Sequence, residues 1–123
     1  MERPLRMVLL VDDEPEICTL LSAMLHRSGV PSMIAHDLAE GQRAVDSGSR
    51  FDAAFIDVNL PDGPGYSLIP LIKSRSPGAV CIAISAVDTE AENATAAGAD
   101  TFVPKPLNRQ AIFGSLRQLG FNI

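Results

Sequence analysis

Five short apolar runs alternate with amphipathic stretches along the whole chain, and this alternation limits the folds open to it. Residues 7–11, Met-Val-Leu-Leu-Val, form an unbroken apolar run of the kind expected for a strand buried on both faces. From Pro15 to Arg27, the residues Ile17, Leu20, Leu21, Met24 and Leu25 recur at helical spacing, and Gly29 follows as a stop. Ser32 to Ala35 reads as a second strand. Asp37 can cap a helix reaching about Ser47, with Leu38, Ala44 and Val45 turned inward and Gly41 weakening it. Residues 51–56 read as a third strand ending at Asp57, and residues 59–65 are loop by composition. A helix to about Arg75 follows, but Pro70 lies inside it. Proline removes one hydrogen bond and clashes with the carbonyl four residues back, so a late start or a kink is expected. Residues 79–84 give a fourth strand, 88–97 an alanine-rich helix closed by Gly98, and 101–103 a brief fifth strand. Residues 108–119 give the last helix, with Ile112, Phe113, Leu116 and Leu119 on one face and Gly120 as its stop.

Strand–helix alternation of this kind implies an α/β fold with a parallel sheet covered by helices on both faces. Right-handed crossovers leave few arrangements, and the doubly wound, flavodoxin-like order 2-1-3-4-5 is the expected one. A length of 123 residues fits a single domain over 1–123. The net charge of −5 offers no basic surface to neutralise phosphates, so direct nucleic-acid binding by this chain is not expected. Cys18 and Cys81 both sit among apolar residues and read as reduced core thiols. No run is long enough for a membrane span and the first six residues do not make a signal peptide, so the expected location is cytoplasmic.

In the 2-1-3-4-5 topology the chain leaves the first and third strands in opposite directions, opening a crevice beyond their carboxyl ends. The first strand ends in Asp12-Asp13-Glu14, the third in Asp57 and the fourth in Ser85, and the fifth is followed by Lys105. Singly, each has a plain reading: an Asp after a strand caps a helix, a Ser fills a turn, a Lys is solvated. Their coincidence at successive strand ends points to one site. Clustered carboxylates raise one another's pKa unless a cation compensates. Oxygen ligands in an open, partly aqueous pocket suit Mg²⁺, which keeps several waters and pairs with carboxylates and phosphate. A carboxylate can also attack phosphorus to form an acyl phosphate, with Lys105 and Ser85 holding the outer oxygens. Phosphoryl transfer to Asp57 is the chemistry this set supports.

The order and spacing of Val11-Asp12-Asp13-Glu14, Asp57 with Leu60-Pro61-Asp62 and Gly65, Ser85-Ala86, Gly98-Ala99-Asp100 and Lys105-Pro106 resemble the response-regulator receiver domain of two-component signalling, over essentially the whole chain. The resemblance implies that Asp57 is the phosphoacceptor, charged by a phosphohistidine on a sensor histidine kinase or histidine phosphotransfer protein. It implies that Asp13 binds Mg²⁺ directly, that Asp12 acts largely through water, and that the backbone carbonyl of Asn59 joins Asp57 as a ligand. Ser85 and Lys105 would contact the phosphoryl oxygens. Phe102 would be the aromatic that changes rotamer on activation, acting here by packing alone because it has no hydroxyl. The Lys105-Pro106 peptide would be cis. The partner surface, for a downstream output domain or protein, would be the face of the fourth helix, fifth strand and fifth helix. That last helix holds Arg109 and Arg117 but no acid, so it lends little to a charge-paired homodimer.

Pro64 and Pro70 depart from the common pattern and leave the start of the third helix open. Val87, two beyond Ser85, cannot orient an attacking water, so autodephosphorylation is expected to be slow and the chain is not expected to turn over as an enzyme. An aspartyl-phosphate phosphatase would carry an Asp-x-Asp turn after its first strand, which Asp12-Asp13-Glu14-Pro15 is not. The remaining alternative is a receiver-like protein-binding module that is never phosphorylated.

Overall fold

The computed structural model describes residues 3–86 and 90–123, with the backbone alone for residue 90. Five parallel strands form the sheet: β1 (Val8–Val11), β2 (Ser32–Ala35), β3 (Ala53–Asp57), β4 (Val80–Ser85) and β5 (Thr101–Pro104), in the order β2-β1-β3-β4-β5. Between and after them run α1 (Pro15–Arg27), α2 (Leu38–Asp46), α3 (Ile69–Arg75), α4 (Glu90–Ala96) and α5 (Arg109–Gln118). This is the doubly wound flavodoxin-like arrangement expected from the alternation.

The period of two in the strands sorts the core into two halves. Val8 and Leu10 of β1, Ala53 and Phe55 of β3, Ile82 and Ile84 of β4 and Val103 of β5 point to one face. There they meet Leu21, Met24 and Leu25 of α1 and Ile112, Phe113 and Leu116 of α5. Leu9, Val11, Ala54, Ile56 and Cys81 point to the other face and pack with Val45 of α2 and Ile69 and Ile72 of α3. Each fully buried aliphatic or aromatic side chain of this kind contributes roughly 1.5–3 kcal/mol. Truncation of Phe55, in the central strand and fully enclosed, would cost about 3–5 kcal/mol. Cys18 and Cys81 are buried and unpaired, as expected.

Three expectations need correction. Residues 59–65 are not plain loop: Asn59–Leu60 and Gly63–Pro64 form a short antiparallel pair. The third strand begins at Ala53 rather than Phe51 and runs to Asp57, the end the sequence indicates. Leu20 shares the helical spacing of the α1 stripe but is 42% exposed, because the stripe is wider than the face the sheet can cover. The doubt over Pro70 resolves as a late start. A 3-10 turn over Gly65–Leu68 precedes α3, and Pro70 falls in its first turn, where its missing N–H has no partner to lose. The expected start of the fourth helix near Asp88 lies outside the described residues; its described span is Glu90–Ala96.

Candidate functional site

Adjacent strands in register bring the acids together. Val11 of β1 pairs with Ile56 of β3, so Asp12 and Asp57 leave the sheet side by side at the same level. Both are buried, Asp12 at 1% and Asp57 at 4% exposure, while Asp13 and Glu14 face solvent. Carboxylate oxygens of Asp12, Asp13, Glu14 and Asp57 all lie within 4.8 Å of one another. On the far side, Ser85 ends β4 and pairs with Pro104 of β5. The Lys105 amide then donates to the Ser85 carbonyl at 2.8 Å, turning the lysine side chain back over the strand ends.

Lys105 Nζ sits at the centre of the acids. It lies 3.1 Å from Asp57 Oδ2, 3.1 Å from Asp12 Oδ2 and 2.8 Å from Glu14 Oε1. Burial works against its charge, but hydrogen bonds to Glu14 and Asp57 and the negative charge of Asp12 outweigh it and hold its pKa above the ordinary lysine value. The Asp12 carboxyl is also pushed up, to about 6, which for an acid disfavours the charged form. Burial is the main cause and the charge of Asp57 adds to it, while the Glu14 N–H and Lys105 oppose. Among the described residues, Asp12 Oδ2 is the one buried side-chain oxygen or nitrogen with no hydrogen-bond partner, its contact with Lys105 being Coulombic only. Four clustered carboxylates facing one ammonium, with one buried oxygen unsatisfied, form a donor set suited to a hard divalent cation.

Asn59 links the acids to the hydroxyl. Its backbone N–H donates to Asp57 Oδ1 at 3.0 Å and its side-chain amide to Ser85 Oγ at 3.3 Å. With Asp13, Val58, Leu60, Pro61, Gly63, Pro64 and Tyr66 it lines an open cavity of about 380 Å³ beside the carboxylates. The Lys105-Pro106 peptide is cis, as the resemblance implied. Phe102 does not reach this pocket; it packs behind it, against Val58, Ala83 and Ala94. Val87 lies outside the described residues. Sequence reasoning gave Glu14 no role, yet it is the nearest partner of Lys105; its place directly after the two aspartates was the available signal. Gly65 also proves structural in a way composition did not show. A Cβ there would run into the Asp57 carbonyl oxygen, so only glycine lets the loop pass so close beneath the site.

The response regulator receiver domain family matches residues 8–117. A response regulator protein, PilR, from Pseudomonas aeruginosa is 36% identical over 114 residues, covering 90% of this chain. The chain spans only 24% of that relative's length. A response regulator from Burkholderia pseudomallei, solved with a phosphorylated aspartic acid and a calcium ion, superposes with a TM-score of 0.83 at 26% identity, covering 90% of this chain and 66% of that one. The receiver domain of a sensor histidine kinase from Pseudomonas aeruginosa, with a magnesium ion coordinated in its active-site cleft, gives 0.77 at 31% identity, covering 93% and 96%. A match along nearly the full sheet and an acidic cleft at its carboxyl edge agree: this chain belongs to the response regulator receiver domain family of two-component signalling.

Proposed function

We propose that Asp57 accepts a phosphoryl group from a phosphohistidine on a sensor histidine kinase or histidine phosphotransfer protein. The observation that carries this is the buried Asp57 carboxylate, held between the Lys105 ammonium and the Asn59 amide at the mouth of an acidic cleft. One Asp57 oxygen attacks phosphorus as the P–N bond to the donor imidazole breaks, and the departing ring takes up a proton and leaves neutral. Asp12, Asp13 and Asp57, with the Asn59 carbonyl, are the residues that would hold Mg²⁺. That ion supplies charge neutralisation on the transferring oxygens. Lys105 and Ser85 orient the outer oxygens, which fixes the phosphoryl group in line for attack.

Phosphorylation then biases the face of α4, β5 and α5. A Ser85 hydroxyl drawn to the new oxygens vacates space into which Phe102, packed here against Val58, Ala83 and Ala94, can shift, and two packed states a few kcal/mol apart can be biased this way. That face is the proposed surface for an output domain or protein. Helix α5 carries Arg109 and Arg117 but no acid, so it offers little for a charge-paired homodimer. Val87, two positions beyond Ser85 in the sequence, has no polar group to orient an attacking water, which favours a long-lived acyl phosphate. The direct test is labelling from a phosphohistidine donor with Mg²⁺ present. The label should appear on wild type and vanish in Asp57→Ala; equal labelling of the variant refutes the reading.

A further inference from the structure

Helix α2 is capped by two carboxylates, and one comes from the segment that walls the cavity. Asp37, the residue before the helix, accepts the Glu40 N–H at 2.7 Å in the usual way. Asp62 reaches across from the turn between Asn59–Leu60 and Gly63–Pro64. Its Oδ1 accepts the Leu38 N–H at 2.8 Å and its Oδ2 the Ala39 N–H at 3.1 Å. Together the two acids take up side-chain-accessible donors that the first turn leaves open. A carboxylate bound by two amides at a helix N-terminus is a charge-assisted, geometrically fixed contact. The Asp62 carboxyl is held below the usual range, chiefly by the Leu38 N–H. Gly63 closes in as well: a Cβ there would stand 2.8 Å from Leu38 Cδ1.

The segment so clamped is the wall of the cleft. Asn59, Leu60, Pro61, Gly63 and Pro64 line the cavity beside Asp13, and Asn59 is tied to Asp57. We propose that Asp62 is a positioning residue for the phosphorylation pocket, clamping residues 59–64 to the N-terminus of α2 so that Asn59 stays set beside Asp57. The inference rests on the phosphorylation reading above. It makes α2 a mechanical support of a site it does not touch.

The sequence supplies both the probe and the control. Tyr66 lines the same cavity and is the only tyrosine in a chain without tryptophan, so its emission reports on the pocket. Asp37→Ala removes a cap from the same helix without touching the clamped segment. Mg²⁺ titration of the full chain, followed by Tyr66 emission, is compared for wild type, Asp62→Ala, Asp62→Asn and Asp37→Ala, with labelling by acetyl phosphate measured alongside. Asp62→Ala should raise the Kd for Mg²⁺ about tenfold, the low end of the loss when a supporting partner of a metal site is removed. It should slow labelling at sub-saturating Mg²⁺, and Asp62→Asn, which keeps one acceptor, should recover part of both. Asp37→Ala should keep the wild-type Kd. Equal Kd values in Asp62→Ala, or in Asp62→Asn should the alanine variant not fold, and in Asp37→Ala overturn the clamp and leave an ordinary helix cap. A wild type blind to both Mg²⁺ and acetyl phosphate instead removes the phosphorylation reading and the inference with it.

Discussion

Lys105 Nζ is closer to Glu14 Oε1, at 2.8 Å, than to Asp57 Oδ2, at 3.1 Å. The lysine is thus shared between a solvent-facing acid and the reactive one. Exposed ion pairs contribute little, so Glu14 can release Lys105 at small cost when phosphoryl oxygens offer a stronger partner. Glu14→Gln should therefore change the labelling rate by less than about threefold. Lys105→Met removes a fixed donor aimed at developing charge and should slow labelling by at least about tenfold. Comparable losses in the two variants would show that Glu14 takes part in the chemistry itself.

Asp12 carries the electrostatic strain of the apo site. Its Oδ2 is buried without a hydrogen bond, and burial lifts the carboxyl to about 6, so at neutral pH the fold holds an ionised group in a place that disfavours it. Asp12→Asn keeps an acceptor for the Glu14 N–H and discards the charge. It should raise apo stability in urea by about 1 kcal/mol. Wild type should gain stability with Mg²⁺ by mass action, about 2.7 kcal/mol at a hundred times Kd, and the variant should gain much less. Equal Mg²⁺ stabilisation of both proteins would falsify the ligand role of Asp12.

What the sequence made legible was whatever depends on backbone period and strand order. Asp12 and Asp57 were placed together because hydrophobic runs fix strands and a parallel register fixes which strand ends meet. The cis Lys105-Pro106 bond came from the resemblance alone. What escaped was set by long side chains and by tight turns. Glu14 finds Lys105 across 91 positions through flexible torsions that no local pattern records. Asp62 looked like a turn residue because a turn-forming Asp and one that reaches another helix have the same neighbours in sequence. Leu20 followed the helical period but met no sheet, since period alone does not say how wide the covered face is.

Gly65 sits under the reactive strand end, its amide donating to the Val58 carbonyl at 2.8 Å. A methyl group there meets the Asp57 carbonyl oxygen and Ile56 Cγ2, both held by the central sheet, so neither can yield cheaply. Gly65→Ala should lower stability by roughly 3 kcal/mol, at the upper end of single-site effects. The urea midpoint should fall without a change in slope, since the unfolded chain is nearly unaffected. A shift under about 0.5 kcal/mol, the range of an ordinary surface substitution, would mean that the loop passes Asp57 less closely than described.

The buried thiols give the fold an alkaline limit. Burial pushes Cys81 up to about 12 and Cys18 up to about 11. An unfolded thiol ionises near pH 8.5, so between that pH and the folded values the native state holds protons that the unfolded state has lost. Unfolding then releases protons, and stability must fall as pH rises. The contribution of each thiol is complete below about pH 8.5 and diminishes above it by up to about 1.4 kcal/mol per pH unit. Between pH 8.5 and 9.5, below the range where lysine and tyrosine ionise, wild type should lose on the order of 1 kcal/mol per thiol in urea denaturation. Cys81→Ala leaves a cavity whose cost is the same at both pH values, so its absolute stability drops while its pH slope is roughly halved. A slope unchanged by the substitution would show that Cys81 ionises as readily folded as unfolded, against its complete enclosure in β4.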